Sequence, residues 1–417
     1  MTIRQHPLHD CISNEVHARP FQKLQAPLYM VHLAVILDAS RMAEAAQAAH
    51  MLAQRFGIQI EAEGSGFFFV RSDTMAVRFE PHNEFYSLTV YRFNTEAASI
   101  VDDDWTGLLP GELLSGVDIL FRKAQGDAQQ WCETHFNGLQ LAAAEVMSGG
   151  AMLWTDFARR DDNGWVRVLV EDHSLKPFQA GRLLQRICEI ETYRHMALLA
   201  LPVAREVMPQ ITALDQQLAD ITHKMADQAN SQASELLDEL AALAAQVETL
   251  SADTANRFSA ADAYFALLDT RLSELRQTRI EGLQTVTQFM ERRLEPARKT
   301  CRAADVRIER LSKRIARVSE LIRSQVDLSI EQQNRDLLEA LNGRARRQLR
   351  LQAKLESFTI IVVTYYAFDL IERTIRNTVP ADGPRDDVLM VLSFSVPLIA
   401  GVLWWYVRKL LKHYGED

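Results

Sequence analysis

The sequence predicts an α+β protein in which an N-terminal α/β cytoplasmic domain (residues 1–175) leads into a long coiled-coil helical stalk (176–354). A C-terminal two-helix membrane hairpin (355–407) and a short basic cytoplasmic tail (408–417) complete the chain. Three observations carry this reading. Strand-type segments alternate with helical ones up to Pro177 and then stop. An apolar a/d frame runs from Ile280 to Ile322 with Thr287 as its only polar member, the signature of a helix that packs lengthwise on others. Residues 388–407, VLMVLSFSVPLIAGVLWWYV, carry no charge and are about long enough to cross a hydrocarbon core of roughly 30 Å.

In chain order, residues 28–37 (LYMVHLAVIL) read as an apolar strand, followed by an Ala-rich helix over 40–56 with Ser40 as its N-cap. Residues 66–71, 75–81 and 85–93 read as a meander, because SDT and HNE separate them as turns. Helices are expected over 111–123 and 127–136. A second strand set follows at 139–146, 151–158 and 165–171, with Gly149-Gly150 and Asp162-Asn163-Gly164 as turns. The expected result is a sheet of about six strands with two or three helices.

From Pro177 the pattern is helical. Leu183, Ile187, Ile190, Met196 and Leu199 form one stripe, Pro202 and Pro209 are expected to kink or divide the helix, and Ile211–Met225 and Leu236–Leu250 repeat at spacings of three and four. Ser251–Thr254 reads as a turn with a new cap. Residues 259–323 are then expected to be one helix, bent at Pro296, whose seam is covered by the helices of 178–250 folded back, by other copies of the chain, or by both.

Charge is unevenly placed. Residues 271–354 hold 20 Lys/Arg against 11 Asp/Glu, so the rest of the chain, with 26 against 44, is acidic. A basic stalk beside an apolar span suits anionic lipid headgroups. No aromatic side chains interleave with its cations, so nucleic acid is not an expected partner. Cys11, Cys132, Cys188 and Cys301 are scattered without metal-ligand spacing and read as reduced thiols of a cytoplasmic compartment. The N-terminus has no apolar leader, so targeting falls to the hairpin.

The first span, 355–371 (LESFTIIVVTYYAFDLI), is preceded by Arg344, Arg346, Arg347, Arg350 and Lys354, and the second is followed by Arg408, Lys409 and Lys412. The positive-inside rule therefore places both termini in the cytoplasm. Trp404, Trp405 and Tyr406 suit the headgroup layer. Polar groups in the first span make it the inner helix. Thr364, Tyr365, Tyr366, Asp369 and Glu372 are its candidate pore or ion-binding residues, because a carboxylate inside a bilayer is costly and so points to function. The plainer alternative is that the helix leaves the membrane near Phe368.

The densest cluster of chemical groups is N-terminal: His6, His9, Asn14, Glu15, His17 and Arg19. His6 and His9 are spaced as ligands on a helical turn, and the set suits a metal or a phosphate. An arm hydrogen-bonded across the domain, with Arg19 held by Glu15, accounts for the same residues. A second polar patch, Glu189, Glu191, Tyr193, Arg194 and His195 with Arg182 and Arg186, is explained by ion pairs within one helix. No HExxH, Walker loop or GxSxG occurs, so the common enzyme signatures are missing. A divalent cation is the cofactor class these residues suit.

The segment NEVHARPF (14–21), with EIETYR (189–194), RIEGLQTVTQFMERRLEPARKTC (279–301) and TYY (364–366), resembles a bacterial family of uncharacterised membrane-anchored proteins carrying a domain-of-unknown-function label. The resemblance covers nearly the whole chain. It implies attachment to the inner membrane of Gram-negative bacteria and transfers no catalytic residues. In layout the chain is also similar to CorA-type magnesium channels, which join a cytoplasmic α/β domain to a stalk helix and two spans. The Gly-Met-Asn motif of those channels is absent here, where Ala367-Phe368-Asp369-Leu370 follow Tyr366. The expected function is a non-enzymatic, homo-oligomeric scaffold or sensor at the inner membrane. A CorA-like cation conduit is the alternative, and an enzyme built on the N-terminal histidines ranks third.

Overall fold

The computed structural model describes residues 6, 9, 21–59, 66–96, 105–136, 141–159, 164–227, 233–378 and 385–413. They form an α+β protein with an N-terminal sheet domain and a long helical C-terminal region. Two compact units are present, one within Met1–Asp227 and Ser234–Ser319, the other within Gln228–Ala233 and Glu320–Asp417.

The first unit is built on a nine-stranded sheet, not six. Its strands are β1 (Leu28–Ile36), β2 (Phe68–Arg71), β3 (Met75–Pro81), β4 (Phe85–Phe93), β5 (Glu112–Lys123), β6 (Ala142–Val146), β7 (Ala151–Arg159), β8 (Val166–Asp172) and β9 (Thr278–Arg279). Their order is β2-β3-β4-β1-β5-β8-β7-β6-β9, and β5 pairs in parallel with β8. Helices α1 (Met42–Arg55) and α2 (Ala128–His135) cover one face, where Tyr29, Val31, Leu33 and Val35 of β1 meet Ala45, Ala49 and Leu52. Helix α3 (Pro177–Leu198) covers the other. There Val117, Ile119 and Phe121 of β5 and Val166, Val168 and Val170 of β8 pack on Leu183, Leu184 and Ile187. The alternation is that of strands buried on both faces, which read as near-continuous apolar runs.

Residues 111–123 were expected to be helical and are the central strand. Leu114, Val117 and Leu120 recur every third residue and imitate a helical stripe. Val117, Ile119 and Phe121 alternate at period two, and that period wins because β1 and β8 flank the segment on both sides. The expected cap Ser40 lies instead within a short 3-10 turn, Ala39–Arg41, whose Ser40 N–H donates to Asp38 Oδ1 at 2.9 Å; the α-helix starts at Met42.

The helical region continues with α4 (Ala200–Asp227), α5 (Ala233–Glu274), α6 (Val286–Thr378) and α7 (Arg385–His413). Within the first unit α4, α5 and the start of α6 form a bundle. Arg298 of α6 pairs with Asp269 of α5 at 2.8 Å and Arg302 with Asp262 at 3.0 Å, so these helices are antiparallel. Arg307 and Arg314 of α6 both reach Asp215 of α4, at 3.2 and 2.6 Å. Most of the expected seam is buried, with Met290, Ala304, Ile308, Leu311 and Ile315 of α6 inside, as are Leu236, Leu240, Leu243, Leu268 and Leu272 of α5 and Ile211, Leu218 and Ile221 of α4.

Two expectations for this region fail. Ser251–Thr254 does not break the chain, because α5 runs through it and Thr254 Oγ1 donates to Leu250 O at 2.8 Å, which satisfies a hydroxyl on the buried seam. Residues 259–323 are not one helix. The chain turns after Glu274, passes Arg276 and Gly282 at φ 48° and 83°, and adds β9 to the sheet edge beside β6. Helix α6 then starts anew on a reciprocal cap in which Gln288 N–H donates to Thr285 Oγ1 at 3.1 Å and Thr285 N–H to Gln288 Oε1 at 3.2 Å. Ile280 and Leu283 therefore matched the frame without belonging to the helix. Pro296 does lie inside α6, which continues through it.

In the second unit the described part of α6 from Glu320 to Thr378, and α7, present large apolar side chains outward. Leu355, Phe358, Ile361, Tyr365, Tyr366 and Leu370 of α6 are exposed, as are Val391, Phe394 and Leu398 of α7, the last three at about 70%. Among the described residues, the helical stretch that contains a window long and apolar enough to cross a membrane is Pro177–Ala226; Ser393–Tyr406 is a shorter apolar helix. The first of these provides α3 and α4, which place Leu183, Ile187, Ile211 and Leu218 in the core of the first unit.

Candidate functional site

Strand alternation assembles a polar cavity under α3. Residues of one parity on β1, β3 and β4 face that helix. The antiparallel registers pair His32 with Thr89 and Thr89 with Arg78, so these three form one row across the sheet. Ala34, Ser87 and Glu80 form the next row, and Met30, Tyr91 and Ala76 the one beyond. Above them α3 contributes Gln185, Cys188, Glu189, Thr192 and Tyr193, which share a face at spacings of three and four. The space they line is about 40 Å³. At roughly 10–15 Å³ for one water position, it has room for a few waters.

Each buried polar group in the row is partnered. His32 bonds Thr89 Oγ1 through Nδ1 at 2.8 Å and Thr192 Oγ1 through Nε2 at 3.1 Å, and so ties β1, β4 and α3 together. Arg78 donates to Gln185 Oε1 at 2.8 Å and Glu80 Oε2 at 2.9 Å. Glu189 accepts from Gln185 and from Arg271 of α5. Arg186 pairs with Glu274 at 2.9 Å, so α3 is tied to α5 as well. The polar patch of 189–195 is therefore not explained by intrahelical pairs alone: Arg194 does pair with Glu191, but Glu189 and Arg186 reach a different helix.

The protonation states follow from burial. Desolvation, helped by the nearby Arg78 and His82, lowers His32 from 6.5 to about 3. Burial pushes Tyr91 and Tyr193 up to about 12 and raises the Cys188 thiol further. At neutral pH the cavity thus presents a neutral imidazole, protonated phenols and a protonated thiol.

A stability slope with pH is the direct consequence. The unfolded chain protonates His32 below pH 6.5 and the folded one does not until about pH 3. The unfolded state then binds the extra proton, so stability present above pH 6.5 is lost as pH falls through that window, at up to ~1.4 kcal/mol per pH unit. His32→Gln should lack this component. Urea midpoints at pH 7.5, 5.5 and 4.5 should show the wild type falling more steeply than the variant, and parallel slopes would contradict the buried neutral histidine.

Of the N-terminal cluster, Asn14, Glu15, His17 and Arg19 lie outside the described residues. His6 and His9 are described and exposed, and His9 N–H donates to His6 O at 2.9 Å. Among the described residues no set of three or more His, Cys, Asp or Glu stands close enough to hold a metal. In the second unit, Thr364 donates to Ile360 O at 2.7 Å, and the rings of Tyr365 and Tyr366 lie 5.8 Å apart. Asp369 pairs with Arg373 at 3.1 Å and Glu372 with Arg376 at 2.6 Å, each one turn along the same helix. Both candidate pore carboxylates thus carry a cation of their own.

Sequence reasoning flagged Glu189 and Tyr193 but missed His32, Arg78, Ser87, Thr89 and Tyr91. The available signal was polar residues of a single parity on three neighbouring strands. It becomes visible only once the register of those strands is known.

Residues 4–414 match a family model described as a protein of unknown function, DUF3422. The chain belongs to the DUF3422 family. The match takes in the sheet domain, the bundle and both terminal helices, so the DUF3422 pattern is one of the whole architecture and not of a single module. No curated protein matches the chain.

Proposed function

We propose that this DUF3422 protein is a membrane-attached, self-associating scaffold or sensor, with the second half of α6 and α7 as a hairpin in the inner membrane and the sheet domain in the cytoplasm. The observation that carries this is the outward apolar surface of the second unit. Monomeric soluble proteins rarely expose contiguous apolar patches beyond a few hundred Å². Here Leu355, Phe358, Ile361 and Leu370 of α6 and Val391, Phe394, Leu398 and Trp405 of α7 are exposed, and residues 388–407 of α7 carry no charge. A helix apolar all round is a buried or lipid-facing one. Self-association is supported by Ile330, Leu337, Leu341, Leu351 and Leu355, exposed leucine-type residues on one side of α6.

The cation-conduit alternative requires uncompensated carboxylates along the first span. The Asp369–Arg373 and Glu372–Arg376 pairs count against it.

The test is extraction of the full chain from cells. The protein should stay with the membrane pellet through alkaline carbonate, and Phe394→Glu with Leu398→Glu should release it. Release of the unaltered chain by carbonate would contradict the hairpin. If these side chains faced water, the double substitution would change little, because exposed substitutions usually stay within ~0.5 kcal/mol.

A further inference from the structure

The cations of α6 have different surroundings along the helix, and many pair with carboxylates of α6 itself. In the first unit Arg298, Arg302, Arg307 and Arg314 each meet an aspartate of α4 or α5. In the second unit Arg344, Arg346, Arg347, Arg350 and Lys354 are exposed, and residues 340–355 contain no Asp or Glu at all. Arg346, Arg350 and Lys354 follow one another at four-residue steps with Arg347 between them. At about 100° per residue these four occupy an arc of about 100°. Like charges at this spacing repel one another. Leu341, Leu349, Leu351 and Leu355, all exposed, lie outside that arc.

We infer that residues 344–354 form a docking surface for anionic phospholipid headgroups, which neutralise the cation row. This inference rests on the membrane attachment proposed above and adds a lipid class to it. Three features favour a lipid surface. The row leads without a break into the exposed apolar part of α6. Helix α7 ends in the same way, with Lys409 over the Trp405 ring at 5.2 Å, a ring-and-cation pair suited to the headgroup layer. The cations have no aromatic side chains among them on which bases would stack.

The experiment uses the full chain reconstituted in phosphatidylcholine bilayers containing a trace of spin-labelled phosphatidylglycerol or spin-labelled phosphatidylcholine. Each cation near an anionic surface contributes about fivefold. The wild type should therefore hold the anionic label at least several-fold more strongly, with the preference shrinking as salt rises. Combined Arg346→Gln, Arg347→Gln, Arg350→Gln and Lys354→Gln should insert equally well and lose the preference, and Arg302→Gln should keep it. A wild type that inserts but treats the two labels alike overturns this inference alone. A chain that enters no bilayer overturns the membrane reading as well. Equal labels together with tight, cation-dependent binding of duplex DNA would assign the row to nucleic acid and overturn it too.

Discussion

Replacing Leu311 and Ile315 together with Asp should unfold the helical bundle. These side chains are 1% and 5% exposed on the seam that α6 shares with α4 and α5. Each new carboxylate would be buried on an apolar seam, and a buried charge costs several kcal/mol unless it is well paired. Two of them, plus the lost apolar burial, amount to more than ~6 kcal/mol, comparable with the whole stability of a typical domain at ~5–15 kcal/mol. Combined Arg310→Gln and Arg314→Gln is the control. Arg310 is exposed, and the Arg314–Asp215 pair is partly solvated, so the loss should stay below ~1 kcal/mol. Circular dichroism melts of both variants decide the matter, and similar losses would mean that the seam is misplaced.

Gly181→Ala should be the most damaging single methyl in the first unit. Gly181 lies in α3, where alanine would ordinarily gain ~1 kcal/mol of helix stability. Its Cβ, however, would stand 1.8 Å from the carbonyl oxygen of Gln22 and 2.9 Å from the carbonyl carbon. Both are backbone atoms of a segment held to the helix by Leu24 N–H donating to Pro177 O at 3.1 Å, and flanked by Arg182 over the Phe21 ring and Lys23 over the Phe178 ring. Neither α3 nor that segment can yield without losing these contacts. Overpacking of this kind costs ~1–3 kcal/mol and occasionally more, so the melting temperature should fall by roughly 5–10 °C. Gly343→Ala, on a helix with nothing within 4 Å of the new methyl, should leave it unchanged or raise it slightly. A Gly181→Ala protein as stable as the wild type would show that residues 21–24 are not seated on α3 as described.

The sequence was most informative where periodicity and punctuation agreed. Residues 75–81 and 85–93 read as strands between turn-type triplets and are β3 and β4 to the residue. Pro177 opens α3, and the a/d frame from Met290 onward is the buried seam of α6. The reading failed where two periods overlap or where chemistry is dispersed. Residues 112–123 carry apolar groups at both period two and period three, and only the neighbouring strands decide between them. The turn between α5 and α6 was hidden because Ile280 and Leu283 happen to fall in frame, whereas the Thr285–Gln288 cap was a readable signal. The cavity was illegible for a deeper reason. Its fourteen lining residues come from three strands, the turn at His82 and a helix, separated by up to about 160 positions, and no local pattern shows that His32, Thr89 and Arg78 share a row.

Membrane topology is the most direct test of the account. Alkaline phosphatase and a fluorescent cytoplasmic reporter, fused in turn after Gly383 and after Asp417 of the full chain, report which side of the membrane each position occupies. A two-helix hairpin requires the junction at Gly383 to be periplasmic and the C-terminus to be cytoplasmic. Phosphatase activity at Gly383 with fluorescence at Asp417 is the predicted pattern. A cytoplasmic signal from both positions would contradict the hairpin and with it the membrane scaffold.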